Sequence, residues 1–259
     1  RDKIFIAAMG TPLAVLGLFF GGLLLSLAGS TSVSRFCSIL VSREILFAVR
    51  LSVFTATIST LAAMLIALPA AYALSRLQFR GKTVVDTLID LPIVLSPIAL
   101  GAALLVFSTT PPGRFIEGNV LGFVFEVPGL VLAQFTVVVA LATKLLKSTF
   151  DMVDTRYVAV GRVMGCTAFQ AFRKVTLPLA RPGVLAALIL TWARAIGEYG
   201  ASVTLAGATS MKTSTLPIEI NLSFATANVE RAVAVILVLA MIAGAALLAL
   251  RLVGGRSVA

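Results

Sequence analysis

The sequence predicts an all-α polytopic membrane protein, a bundle of six transmembrane helices forming one domain over residues 1–259. Three observations predict it. Hydrophobic residues make up 59% of the chain and charged residues only 12%, about half the ~25% charge typical of soluble domains. A soluble chain of 259 residues could not hide that much apolar surface in one core. Apolar runs long enough to cross a bilayer, which takes ~20 helical residues, recur near 4–29, 45–74, 86–109, 128–149, 183–207 and 229–252. Their continuity argues for helices, because barrel strands alternate apolar and polar residues and a backbone in lipid must satisfy its amides within the segment.

The first run, Ile4 to Ala28, follows Arg1-Asp2-Lys3. It exceeds the ~7–15 apolar residues of a signal peptide and reads as a span. The second is followed by Arg76, Arg80 and Lys82. Asp86 and Asp90 open the third as an interface anchor. Lys144 and Lys147 near the end of the fourth can snorkel to an interface. The fourth-to-fifth connection adds Arg156, Arg162, Arg173, Lys174 and Arg181, and Arg251 and Arg256 close the chain. Six crossings put both termini on this one side. The other side holds only Arg35, Arg43, Arg114, Lys212 and Arg231, with Arg50 near a span end. The richer side is expected to be cytoplasmic, in a cell membrane. This asymmetry accounts for the net charge of +10 better than a nucleic-acid partner would, since the basic residues form no single patch.

Composition also narrows the chemistry. There is no histidine, and the two cysteines, Cys37 and Cys166, fall on opposite faces of the predicted topology. That removes most zinc, haem and Ser-His chemistry. Gly81-Lys82-Thr83 resembles the tail of a P-loop, but Arg76 stands where the first glycine belongs and no strand precedes it. Asp86 and Asp90 share one helix, which does not suit a two-helix aspartyl site. The chain is therefore not expected to be an enzyme. An ion channel would not need the structured loop that follows.

Residues 151–182 are the longest connection on the basic side. Asp154 or Thr155 can cap a short helix carrying Val160, Val163 and Met164 on one face. Gly165 fits a helix stop. Thr167 and Gln170 form a capping box that starts a second short helix, with Arg173 and Lys174 at its negative end. Pro178 is expected to end that helix and Pro182 to open the fifth span. Val163, Met164, Phe169 and Phe172 have no obvious core of their own. On these residues alone, an interfacial helix lying on lipid is an equal alternative.

Gly165, nine intervening residues and Val175-Thr176-Leu177-Pro178 resemble the EAA loop of ABC importer permeases, with Ala159-Val160-Gly161 in place of its Glu-Ala-Ala. Leu91-Pro92-Ile93-Val94-Leu95-Ser96-Pro97 looks like the Leu-Pro-rich segment of molybdate and sulfate permeases. So do Gly197-Glu198-Tyr199-Gly200-Ala201, Leu205-Ala206-Gly207 and Thr215-Leu216-Pro217. The resemblance implies a type I importer bundle, a second copy of the chain, two ATPase subunits that bind ATP and Mg, and an extracytoplasmic oxyanion-binding protein. It implies that residues 155–178 dock into a groove on the ATPase, and that transport runs by alternating access. It also implies molybdate or tungstate as substrate, with sulfate or thiosulfate as the alternative.

Arg194 and Glu198 are the opposite charges deep in a predicted span, roughly 17 and 22 Å in from Gly183 at ~1.5 Å per residue. Four residues apart, they share a helix face, near Thr191 and Ser202. A mid-bilayer charge costs at least ~2.5–3.5 kcal/mol, so this face is expected to point inward. Either it lines the translocation path, together with Ser96, Pro97, Tyr199 and Gly200, or the pair fixes packing. Ala193, Gly197 and Ala201, and separately Gly17 and Gly21, form stripes of small residues that predict close helix contacts.

Overall fold

The structure is a computed structural model and describes residues 2–254, as helices joined by short connections. Arg1 and Arg256, counted above toward the basic side, lie outside the described residues. The bundle is organised by α3 (Arg43–Arg76) and α7 (Val127–Asp151), which lie along one another. The cause is on α3. Its buried face includes Ala48, Ser52, Ala56, Ser59, Thr60, Ala63, Ala67 and Ala71, small residues three or four apart that let two backbones approach. α7 presents Ala133, Gln134, Val138 and Ala142. α10 (Leu177–Ile196) packs on both, and α13 (Val229–Gly254) packs on α10. α1 (Asp2–Gly29) is marginal, and its apolar stretch Gly10–Gly29 buries no residue fully against the chain.

Four predicted spans agree with helices to within about two residues. The third and fifth do not. Residues 86–109 form two helices, α4 (Lys82–Val94) and α5 (Pro97–Thr109), bent by 111°. Pro97 disfavours helical backbone at Ser96, which is extended at φ −64°, ψ 142°. Ser96 then caps α5, its Oγ accepting from Ala99 N–H at 3.3 Å. Among the described residues, five helical runs are individually long and apolar enough to cross a membrane, and the bent pair makes a sixth if it counts as one span.

The fifth predicted span starts earlier and ends earlier than expected. α9 (Ala168–Ala171) continues through a π-helical turn, Phe172–Thr176, into α10 as one helical run. Pro178 therefore sits in the first turn of α10 and does not stop a helix, and Pro182 lies inside it. The widened turn just before Pro178 gives its ring room against the carbonyl four residues back, the clash that otherwise breaks a helix. The run ends at Ile196, and a separate short helix, α11 (Gly200–Ala206), completes the segment.

Three helices fall in connections where none was expected: α2 (Val33–Leu40), α6 (Pro111–Asn119) and α12 (Leu216–Ala225). At the basic end, Arg76 Nη2 donates to the carbonyls of Phe150 and Val153 at 2.7 and 2.6 Å, fastening the end of α3 to the end of α7 and the turn that follows it. At the opposite end, Ser52 Oγ accepts from Leu216 N–H at 2.8 Å, tying the start of α12 to α3.

Candidate functional site

The basic-side loop is a rigid object. α8 (Thr155–Val163) starts at Asp154, whose Oδ1 accepts from Arg156 N–H at 2.8 Å. It ends in a Schellman motif: Gly165 N–H donates to Arg162 O and Cys166 N–H to Gly161 O, both at 3.1 Å. Gly165 has φ +90°, a conformation glycine takes without steric cost. The capping box is formed, with Thr167 Oγ1 accepting from Gln170 N–H at 3.2 Å and Gln170 Oε1 from Thr167 N–H at 2.9 Å. α8 meets the π-helical turn at buried Gly161, where a Cβ would lie 3.3 Å from Val175 Cγ2.

This frame leaves apolar side chains outside. Val163, Met164 and Phe169 are 89%, 80% and 70% exposed, and Ala159 and Val160 are exposed beside them. Leu177 is half-buried and Pro178 exposed. Phe172 departs from expectation. Its ring turns back into the bundle, with its centroid 4.6 Å from Tyr72 and 6.1 Å from Phe150. It anchors the loop and is not free to fill a partner's groove.

The second candidate site lies where the broken spans meet. Arg194 stands in the last turn of α10, and Glu198 follows in the break before α11. Each charge thus suits the helix end beside it, the cation the negative end and the carboxylate the positive one. They pair at 2.6 Å, Arg194 Nη1 to Glu198 Oε2. They do so across a helix terminus and not along one continuous helix face as expected. Glu198 Oε1 also accepts from Ala201 N–H at 3.0 Å. The Glu198 side chain is 1% exposed and that of Arg194 39%.

Gly200 lets α11 touch the start of α5, since a Cβ there would lie 2.9 Å from Ile98 Cγ1. Gly101 on α5 does the converse, with a Cβ 2.8 Å from both Ala201 Cα and Ala201 O. The close contacts predicted at Gly197, Gly17 and Gly21 are not made within this chain: the nearest atom to a Cβ at Gly197 is 3.8 Å away, and none lies within 4 Å at the other two. Arg194 borders a cavity of about 270 Å³ with Pro92, Ile93, Leu95, Pro97, Val137 and Leu141. Tyr199 packs half-buried near Leu51 and Leu130. Ser202 is fully buried, and its Oγ has no hydrogen-bond partner.

Sequence reasoning missed two clusters. Lys144 binds both Asp86 and Asp90, at 2.8 and 2.9 Å, so the aspartates clamp α4 to α7 and do more than anchor an interface. At the opposite end, Glu219 is buried on α12 and pairs with Arg231 at 2.9 Å. The available signal was a lone carboxylate in the otherwise uncharged Leu216–Ala225 segment.

The profile of the family described as "binding-protein-dependent transport system inner membrane component" matches residues 63–254. A probable molybdenum ABC transporter permease protein of Haloferax volcanii is 40% identical over 209 residues, covering 78% of this chain and 73% of that one. The molybdenum transport system permease protein ModB of Mycobacterium bovis is 34% identical, covering 89% and 88%. The sulfate transport system permease protein CysW of Synechococcus elongatus is 31% identical, covering 80% and 77%. Among solved structures, a bacterial ABC transporter involved in the import of alginate shares the fold at TM-score 0.79 and 14% identity, over 100% of this chain and 97% of that one. The interrupted spans and the capped loop are thus those of a polytopic transport component. The chain belongs to the inner membrane components of binding-protein-dependent transport systems.

Proposed function

We propose that this chain is the permease of an ATP-driven importer of molybdate or tungstate. In this assembly two copies of the chain would form the path, two ATPase subunits would bind ATP and Mg, and an extracytoplasmic oxyanion-binding protein would deliver substrate. The basic end, with both termini, would face the cytoplasm. The observation that carries the coupling role is the loop at 155–178, a capped frame that holds Val163, Met164 and Phe169 in the open. Apolar side chains on a rigid mount suit a partner's pocket as anchors do. The path would run past the helix breaks, where Ser96, Pro97, Arg194, Glu198, Tyr199, Gly200 and Ser202 are found. ATP would drive alternating access through differential affinity for the two states.

The substrate class is supported by the names of the relatives, of which the 40% and 34% identical ones are molybdenum permeases. Sulfate is a second reading, supported by the relative that is 31% identical. The test is uptake by the permease reconstituted with its ATPase and binding protein. Molybdate or tungstate should enter in preference to sulfate. Sulfate uptake with no uptake of either metal oxyanion would overturn the assignment in favour of the second reading.

A further inference from the structure

We infer that Arg194 is an anion contact on the permeation path, held by Glu198 while the path is empty and yielded to a passing tetrahedral oxyanion; the inference rests on the oxyanion-importer function proposed above. Depth comes first. The cavity beside Arg194 is walled on the α7 side by Val137 and Leu141. On a helix running Val127–Asp151, these stand ten residues from one end and ten from the other, or about 15 Å from each at ~1.5 Å per residue. Arg194 is therefore level with the middle of the span. A guanidinium there does not face hydrocarbon, where its cost is greatest, and belongs on an interior or water-filled surface.

The pair is also asymmetric in a way that packing alone does not require. Glu198 is sealed at 1% exposure and spends both oxygens, one on Ala201 N–H and one on Arg194. Arg194 is 39% exposed, and among the described residues Glu198 is its one ionic or hydrogen-bonding partner. A guanidinium carries five N–H donors in a planar fork. One ion pair leaves most of this fork unpartnered among the described residues on a side chain that borders the cavity, while the carboxylate that would repel an anion is buried.

The rest of the lining is uncharged: Pro92, Ile93, Leu95, Pro97, Val137 and Leu141. Apolar walls around one arginine fork suit the bidentate capture of an oxyanion. Pro97 opens the 13-residue helix α5, so the positive end of that helix dipole adds to the same wall. The next carboxylates toward the basic end, Asp86 and Asp90, are both held by Lys144. An arginine with no competitor would hold a dianion too firmly to let it pass. Glu198 supplies the competitor, so the anion's stay is brief.

The test uses the full complex in liposomes, reading folded dimer yield and oxyanion uptake separately for wild type, Arg194→Gln, Arg194→Lys and Arg194→Gln/Glu198→Gln. Neutralising both partners leaves no uncompensated buried charge, so the double variant should recover folded yield relative to Arg194→Gln. Its uptake at limiting oxyanion concentration should nevertheless stay about ten- to a hundredfold below wild type, the worth of a charge-assisted hydrogen bond. Arg194→Lys, which keeps the charge, should exceed the double variant in uptake. Recovery of uptake along with yield in the double variant would show a packing pair and overturn the inference. So would an Arg194→Lys uptake per folded dimer no better than that of Arg194→Gln, and this comparison stands if the double variant does not fold. A wild-type complex that imports none of molybdate, tungstate and sulfate would instead defeat the proposed function, and this inference with it.

Discussion

Replacing Gly165 with valine isolates the loop geometry from everything else in the fold. Gly165 has φ +90°, and nothing lies within 4 Å of where a Cβ would stand. The substitution therefore introduces no clash and acts through the backbone alone. An L-residue in left-handed geometry costs about 1–2 kcal/mol, and a β-branched one falls at the upper end. That is a factor of roughly 5–30 against the observed arrangement of α8 and α9, yet well below the ~5–15 kcal/mol that holds a domain together. The spans should stay inserted and the dimer intact, while retention of the ATPase on the purified complex falls about 5- to 30-fold and uptake falls with it. Gly165→Asn should lie close to wild type, because asparagine tolerates this conformation. Phe169→Ala should weaken retention with no change in thermal stability, since its ring is 70% exposed. Retention and uptake both at wild-type level in Gly165→Val would refute the coupling role and return the loop to a helix lying on lipid.

Two further predictions concern the frame. In a background lacking Cys37 and Cys166, a cysteine at Arg80 should react with an impermeant thiol reagent only from the cytoplasm, and cysteines at Asn119 and Ser210 only from outside; the reverse pattern would invert the proposed orientation. Gly101→Val should lower the melting temperature of the detergent-solubilised protein, because its Cβ would sit 2.8 Å from the Ala201 backbone and overpacking costs about 1–3 kcal/mol; an unchanged midpoint would mean that α5 and α11 do not clasp there.

What the sequence made legible was governed by local rules. Continuous apolar runs fix α1, α3, α7 and α13 because length and hydropathy alone decide a span. The caps at Asp154, Gly165 and Thr167 were readable because their partners lie two to five residues away. The breaks were not. Pro97 constrains Ser96 locally, but whether the chain bends by 111° or merely kinks depends on what α5 packs against. That partner is α11, about a hundred residues later in the chain, touching through Gly101 and Gly200. Phe172 was misjudged for the same reason. Periodicity gave it an apolar face, but the rings that claim it, Tyr72 and Phe150, belong to α3 and α7. Glu219 needed Arg231 beside it before its burial made electrostatic sense.

The two candidate sites are opposite ends of one element. The helical run Ala168–Ile196 is 29 residues long, about 42 Å at ~1.5 Å per residue. Exposed Phe169 stands near one end and Arg194 near the other. Between them the run bears on α7 at Gly183, where an added Cβ would overlap the Thr149 side chain. Gly183 lies 14 residues from Phe169 and 11 from Arg194, arms of about 21 and 17 Å. The run stops at Gly197–Tyr199, and Gly200 just beyond it packs against Ile98 at the start of α5. Under the proposed function, a partner that grips the loop would hold the same helical run that ends beside the cavity at Arg194, and it would bias that cavity only insofar as it binds one setting of the run more tightly than the other.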